Sequence, residues 1–203
     1  MDPRLQSPQM VEAAAELAAH LLGGDDERLA HSAAVAEKAR QLTAAVTDAE
    51  APLLVAAAWL HDVGYAESLR RTGLHPVDGG LHLPRTGWPP LVCSLVAHHS
   101  GARFVAAVRG LTPELSTFDY REDPLSDALT VADQTAGPNG VPMTVPQRIA
   151  DMLARHGPDS PNARAHPQRQ PYLLAAATRV IRRLEDAGIP PERHHILSAR
   201  RPA

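Results

Sequence analysis

The residues in this sequence that could do chemistry are histidines and aspartates at the ends of apolar segments. His61-Asp62 closes the run LLVAAAWLHDVGY, so an imidazole and a carboxylate emerge where a core helix meets a glycine turn. With 11 His and 13 Asp in 203 residues, chance alone supplies about 0.7 His-Asp dipeptides, so the setting says more than the pair itself. Burying both groups without partners would cost several kcal/mol; they must be hydrogen-bonded, ion-paired or metallated.

Other segments offer matching groups. His31 lies four residues before Val35, on the apolar side of its helix. His75 opens HPVDGG after a glycine-containing turn, and His98 and His99 end the apolar segment LVCSLVAHH, again before a glycine. Asp133 sits inside ALTVADQTAG, where a carboxylate has no propensity reason to be. Each alone fits a satisfied core or turn residue. Their joint occurrence at helix ends, on apolar faces and beside glycine turns is harder to explain in that way.

The ordered set His31, His61-Asp62, His75, His99, Asp133 resembles the HD-domain superfamily of metal-dependent phosphohydrolases. The segments RLAHSAAVAEKA, AAWLHDVGY, GLHPVDGG, LVAHHSGA and LTVADQTAG carry the resemblance, over about residues 25–137. It implies an all-α fold with the ligands brought together from several helices. In its minimal form His31, His61, Asp62 and Asp133 hold one metal; His75 and His99 match the subset with two metals, in which Asp62 bridges. The resemblance places the ligand immediately before Ser-Gly, which selects His99 over His98. Adjacent residues on a helix project about 100° apart, so His98 is expected behind the ligands or against substrate.

Four to six His and Asp groups with no thiolate suit a divalent transition metal (iron, manganese, cobalt, nickel or zinc), one or two ions. Two such ions would activate a water and balance charge on a transferring phosphoryl group. With Asp62 or Asp133 steering the proton and His61 essential for rate, the expected reaction is hydrolysis of a small phosphoester, most plausibly a nucleotide. An alternative implied by the same family is a mixed-valent diiron oxygenase, and a third reading is a non-catalytic binding domain, for which missing ligands would be the sign. Lys38 is the only lysine, so phosphate contacts fall to arginines: Arg28, one turn before His31, and Arg103, just after HHSGA, with Arg70 and Arg71 after the HDVGY turn. His20, His82, His156, His166, His194 and His195 have no motif context and read as structural or solvated. Neither Ser100 nor Cys93 has a triad pattern, and GPNG lacks the strand–turn–helix setting of a phosphate loop.

The elements that must position these groups are helices throughout. A helix starts at Asp25 or Asp26 and runs through ERLAHSAAVAEKARQL; Pro52 opens a second that Gly64 ends, and others cover about 11–22, 89–99, 102–110, 124–136, 146–156 and 171–187. Thr144 and Gln147 form a capping box. The β-branched alternation of strands is missing. GLHPVDGG, LPRTGWPP, GPNGVPM and GPDSPN punctuate, leaving residues 1–189 as a single all-α domain, motif-bearing over about 25–137, with a poorly ordered tail at 190–203.

At 44% hydrophobic but only 3% aromatic, the core must be Leu and Val between closely packed alanines. Lys and Arg number 20 against 23 Asp and Glu, which leaves no basic surplus for nucleic acid. One cysteine and no apolar leader give the expectation of a cytoplasmic protein. The longest apolar run, Leu53 to Leu60, is short of the roughly 20 residues a bilayer demands. The expected partner is therefore a small phosphoester, with no membrane or nucleic acid; nothing in the sequence speaks to oligomeric state.

Overall fold

The computed structural model describes residues 9–190 and 194–197. In chain order the helices are α1 (Met10–Leu22), α2 (Asp26–Gln41), α3 (Ala51–Leu60), α4 (His75–His82), α5 (Pro90–His98), α6 (Ala102–Arg109), α7 (Thr112–Leu115), α8 (Pro124–Gln134), α9 (Val145–His156) and α10 (Pro161–Asp186). Short 3₁₀ turns join several of them. Among the described residues there is no strand, only an isolated bridge between Ala136 and Pro142, so the fold is all-α.

Local chemistry accounts for most of the boundaries. Asp25 caps α2 by accepting from the Arg28 N–H at 2.9 Å, and Asp123 with Ser126 and Thr144 with Gln147 form reciprocal capping boxes on α8 and α9. Pro52 stands in the first turn of α3, where its missing N–H costs nothing. The centre of the core is α3, whose Leu54, Ala56, Ala57, Ala58 and Leu60 are fully buried, flanked by α1, α2, α5 and α8. Alanines at 14, 18, 36 and 39 are likewise inaccessible and let the helix axes approach closely.

Three expectations are corrected. GLHPVDGG is not punctuation but the start of α4. Pro76 fits the first turn, and Asp78 clamps the preceding loop by accepting from the Thr72 N–H and hydroxyl and the Gly73 N–H. Its glycines serve packing: a Cβ on Gly80 would come within 2.9 Å of the Ala97 Cβ. Second, α3 ends at Leu60, not at Gly64; His61 and Asp62 form a turn leading into a 3₁₀ segment at Val63–Tyr65. Third, α10 starts ten residues before the expected 171. Its internal Pro167 and Pro171 are both exposed, where water can satisfy the carbonyls they leave unbonded.

The stretch Pro90–Arg109 is long and apolar enough to cross a bilayer by length and composition. It is two helices, broken where Ser100 and Gly101 take left-handed backbone (φ 50° and 69°), and most of it is buried in the core. Of the tail expected to be loose, residues 191–193 and 198–203 lie outside the described residues. Ile196 is fully buried and its carbonyl accepts from the Val145 N–H at 2.8 Å.

Candidate metal centre

Five separate elements deliver the His and Asp groups to one point. His31 comes from α2, His61 and Asp62 from the turn after α3, His75 from the first residue of α4, His99 from the break between α5 and α6, and Asp133 from the last turn of α8. All but His75 are buried.

Three imidazoles are anchored alike. The Nδ1 of His61 donates to the Ala58 carbonyl at 2.7 Å, that of His99 to Val96 at 2.7 Å, and that of His31 to Gly137 at 3.1 Å. For His61 and His99 those bonds fix the tautomer and leave Nε2 as a lone pair aimed inward, whereas His31 Nε2 also makes a hydrogen bond to Asp133. Inward are two carboxylates. Asp133 Oδ1 lies 3.1 Å from His31 Nε2, and Asp62 Oδ2 is 3.5 Å from His61 Nε2 and 3.8 Å from His31 Nε2. The other oxygen of Asp62, Oδ1, faces His75 Nε2 at 3.1 Å and His99 Nε2 at 3.9 Å, and those two nitrogens are 3.3 Å apart. Asp62 thus turns one oxygen to each of two pairs of imidazoles. His61 Nε2 is buried without a hydrogen bond.

Lone pairs facing carboxylate oxygens in a dry interior repel unless a cation lies between them. Two groups of three ligand atoms, His31–His61–Asp133 and His61–Asp62–His99, are each compact enough to share one ion. The donor set of imidazoles and carboxylates without a thiolate fits a divalent transition metal; Cys93 is buried elsewhere, its thiol pushed up to about 11 by burial.

Protonation states agree with that fit. Burial would raise Asp62, but the facing His61 and His75 imidazoles and the Arg28 guanidinium hold it well below the usual carboxylate range. Asp133, opposed by burial in the same way, is held low by His31 and His61. Burial pushes His61, His75 and His99 down, the last to about 4 with help from His61. For His31 the bond to Asp133 and the field of Asp62 outweigh burial and raise it. Ionised carboxylates among mostly neutral imidazoles are the state that binds metal.

Around the ligands stands a ring of supports. Arg28 donates to Asp62 Oδ2 at 2.8 Å, and its guanidinium lies 4.0 Å over the Tyr65 ring, which itself stacks on His75 at 4.0 Å. Ser100 donates its hydroxyl to Asp133 Oδ2, and Gln134 Nε2 donates to the same oxygen at 2.9 Å. Gly64 makes the juxtaposition of His61-Asp62 with α4 possible: a Cβ there would lie 2.0 Å from the His75 carbonyl oxygen.

The ligands open into a cavity of about 360 Å³. Its lining carries Arg28, Tyr65 and His75 together with Arg148, Arg155, His156 and Arg169 from α9 and α10. Of the residues expected near substrate, Arg28 is therefore in place. His98 and Arg103 are not. The backbone reverses between His98 and His99 (ψ 0° and 150°), so the two imidazoles diverge. His98 Nε2 donates to the Phe118 carbonyl at 3.0 Å, and Arg103 is held over the rings of Tyr120, Phe104 and Tyr172; both line a separate surface hollow. Arg70 and Arg71 are also absent from this cavity. His156, read as structural or solvated, is the last residue of α9 and also lines the cavity. Tyr65, Ser100, Gln134, Arg148 and Arg169 were not foreseen in these roles. The signal available was the spacing of Arg148, Met152 and Arg155, which puts them on one face of α9.

Set against models of known protein families, residues 28–151 match the HD domain, a span that holds all six candidate ligands and stops before Arg155. Comparison with curated proteins and with solved structures gives no match.

Proposed function

Because the chain belongs to the HD-domain family, whose members are metal-dependent phosphohydrolases, we propose that it hydrolyses a small phosphoester, most plausibly a nucleotide, at the centre formed by His31, His61, Asp62, His75, His99 and Asp133. The observation that supports this reading is the divided carboxylate of Asp62, one oxygen toward His31 and His61 and the other toward His75 and His99. His31, His61, Asp62 and Asp133 would hold one ion and His75 and His99 a second, with Asp62 shared. Bound there, divalent iron, manganese, cobalt, nickel or zinc supplies Lewis acidity toward a phosphoryl oxygen and brings the pKa of a water toward neutrality.

The chain's own groups do the rest. Asp62 and Asp133 stay ionised at neutral pH and orient the proton of the attacking water rather than store it, since their basicity is low. Ser100 and Gln134 fix the direction in which Asp133 presents its other oxygen, Oδ1. Arg28, braced between Asp62 and the face of Tyr65, sets a guanidinium at the edge of the ligands, where charge develops on the phosphoryl oxygens. A cavity of about 360 Å³ falls within the range of small-molecule sites.

The test is metal analysis of the purified protein coupled to a panel of phosphoesters with each metal restored, under air and under anaerobic conditions. Two ions per wild-type chain, one in His75→Ala, none in Asp62→Ala, and oxygen-independent turnover that disappears with Asp62 are expected. Full metal retention in Asp62→Ala would sink the ligand assignment. Oxygen consumption by the iron form, with no phosphoester turned over by any metal, would replace hydrolysis with the oxygenase alternative.

A further inference from the structure

Part of the cavity wall is built by α9 and α10, and its charges are not accounted for by holding metal. Five arginines line the cavity (Arg28, Arg109, Arg148, Arg155, Arg169) against two carboxylates, Asp62 and Asp133. Arg28 is paired with Asp62. Arg148 and Arg155 share a single carboxylate oxygen, Asp151 Oδ2, at 3.1 and 2.8 Å. Arg109 donates to the backbone carbonyls of Gly73 and Thr72 at the rim. Arg169 has no carboxylate partner among the described residues.

The position of Arg169 is built. Its Nε donates to the Ser100 carbonyl at 2.7 Å, and its NH1 reaches Asn162 Oδ1 at 3.4 Å. The stem lies in a cradle over Gly101, where a Cβ would come within 3.3 Å of its Cγ. Because the hydroxyl of the same Ser100 holds Asp133, the guanidinium is tied one residue away from the metal centre. Arg148 and Arg169 are close enough for their charges to oppose each other, and His156, pushed down by burial, is pushed further by Arg155, Arg169, Arg148 and Arg28. Like charges gathered in a partly dry cavity are costly until an anion enters. One phosphoryl group at the metals would leave this wall unused.

We propose that Arg169, with Arg148 in the same cavity, binds a second, non-reacting phosphoryl group, so that the substrate is a di- or triphosphate rather than a monoester. This deepens the phosphohydrolase reading and rests on it. Arginine suits the task because its planar fork meets two phosphate oxygens at once. Since the wall comes from α9 and α10, these helices choose the substrate while the ligand helices provide the reaction.

The test uses manganese-loaded protein and the mono-, di- and triphosphate of one nucleoside, in wild type, Arg169→Gln, Arg169→Lys and Arg164→Gln, the last an exposed residue of α10 outside the cavity. Wild type should show KM about tenfold or more lower for the triphosphate than for the monophosphate. Arg169→Gln should raise the triphosphate KM about tenfold, equivalent to about 1.4 kcal/mol, with kcat little changed, and so flatten the preference. Arg169→Lys should restore part of it and Arg164→Gln should keep it. A wild-type KM ratio near one, or a preference that survives in Arg169→Gln, overturns the proposal. Should no phosphoester be turned over, the hydrolase reading alone falls. Calorimetric titration of inorganic pyrophosphate and orthophosphate onto the same metal-loaded proteins then decides the anion site: tighter pyrophosphate binding lost in Arg169→Gln supports it, and equal binding of the two ions overturns it.

Discussion

Replacing Gly64 with alanine should separate His75 from the centre without touching a ligand. The added Cβ would stand 2.0 Å from the His75 carbonyl oxygen, 2.8 Å from its carbon and 2.6 Å from the Gly79 nitrogen. All three are backbone atoms, so no side chain can swing aside. Ordinary contact begins near 3.4 Å, and α4 must therefore recede by roughly 1.4 Å at its first residue. His75 Nε2, now 3.1 Å from Asp62 Oδ1 and 3.3 Å from His99 Nε2, would move beyond hydrogen-bond range of both. Overpacking of this kind costs about 1–3 kcal/mol, against which alanine recovers about 0.4–1 kcal/mol by restricting the unfolded chain. In a domain of this size each kcal/mol moves Tm by about 2–4 °C.

Melting of the metal-free protein should thus fall by a few degrees. A misplacement near 1 Å at a reacting site costs about 100-fold in rate, and the metal count should drop toward that of His75→Ala. The two variants differ in a useful way: His75→Ala deletes the same ligand without pushing on α4, so its metal-free Tm should fall less than that of Gly64→Ala. A Gly64→Ala protein with wild-type Tm and wild-type metal content would refute the argument that this contact sets the separation of the two imidazole pairs.

Ser100→Ala should weaken metal binding about 10–100-fold, the range for losing a group that orients a ligand; Ser100→Gly should do the same while removing the cost of φ 50°, so calorimetric affinity falls without a fall in Tm. Asp127, 1% exposed, binds Arg179 at 2.6 Å and Arg183 at 2.8 Å and so staples α8 to α10. Because both arginines are about a quarter exposed and can rehydrate, Asp127→Ala should cost only about 1–3 kcal/mol, read as a lower urea midpoint with an unchanged slope. The metal-free protein should lose stability as pH falls from about 6.5 toward 4. Burial, with His61, holds His99 near 4 when folded, whereas the unfolded imidazole takes its proton near 6.5, so protons favour unfolding across that window. His61 and His75 act in the same sense and His31, raised by Asp133, in the opposite one. The contribution of His99 is on the order of 3 kcal/mol, and a urea midpoint unchanged between pH 7 and 5 would contradict it.

What was legible in the sequence follows from what burial forces on a chain. His61 and Asp62 close an apolar helix and Asp133 stands inside one, where an unpartnered polar group cannot be tolerated, so their type and place announce a site before any coordinate is known. The capped starts of α2, α8 and α9 are legible for a similar reason, because the capping side chain lies within three residues of the N–H it serves. Where the deciding contact is distant in sequence, local reading fails. Gly79 and Gly80 look like breakers of α4 until Gly64, Val96 and Ala97 press against them from other segments. The choice of His99 over His98 is made by the turn of the backbone between them, and Arg103 is drawn away by three aromatic rings from α6, α10 and the segment before α8. Arg148 and Arg169 are hardest of all, since an arginine on a helix reads by default as solvated and no neighbour in sequence marks these two as facing a cavity. Only the fold of α9 and α10 across the cavity gives their charge a direction. Ligands can thus be inferred from where water is excluded, whereas the cavity arginines are placed by contacts distant in sequence, and variation among them would leave intact the core that holds His31, His61, Asp62 and Asp133 together.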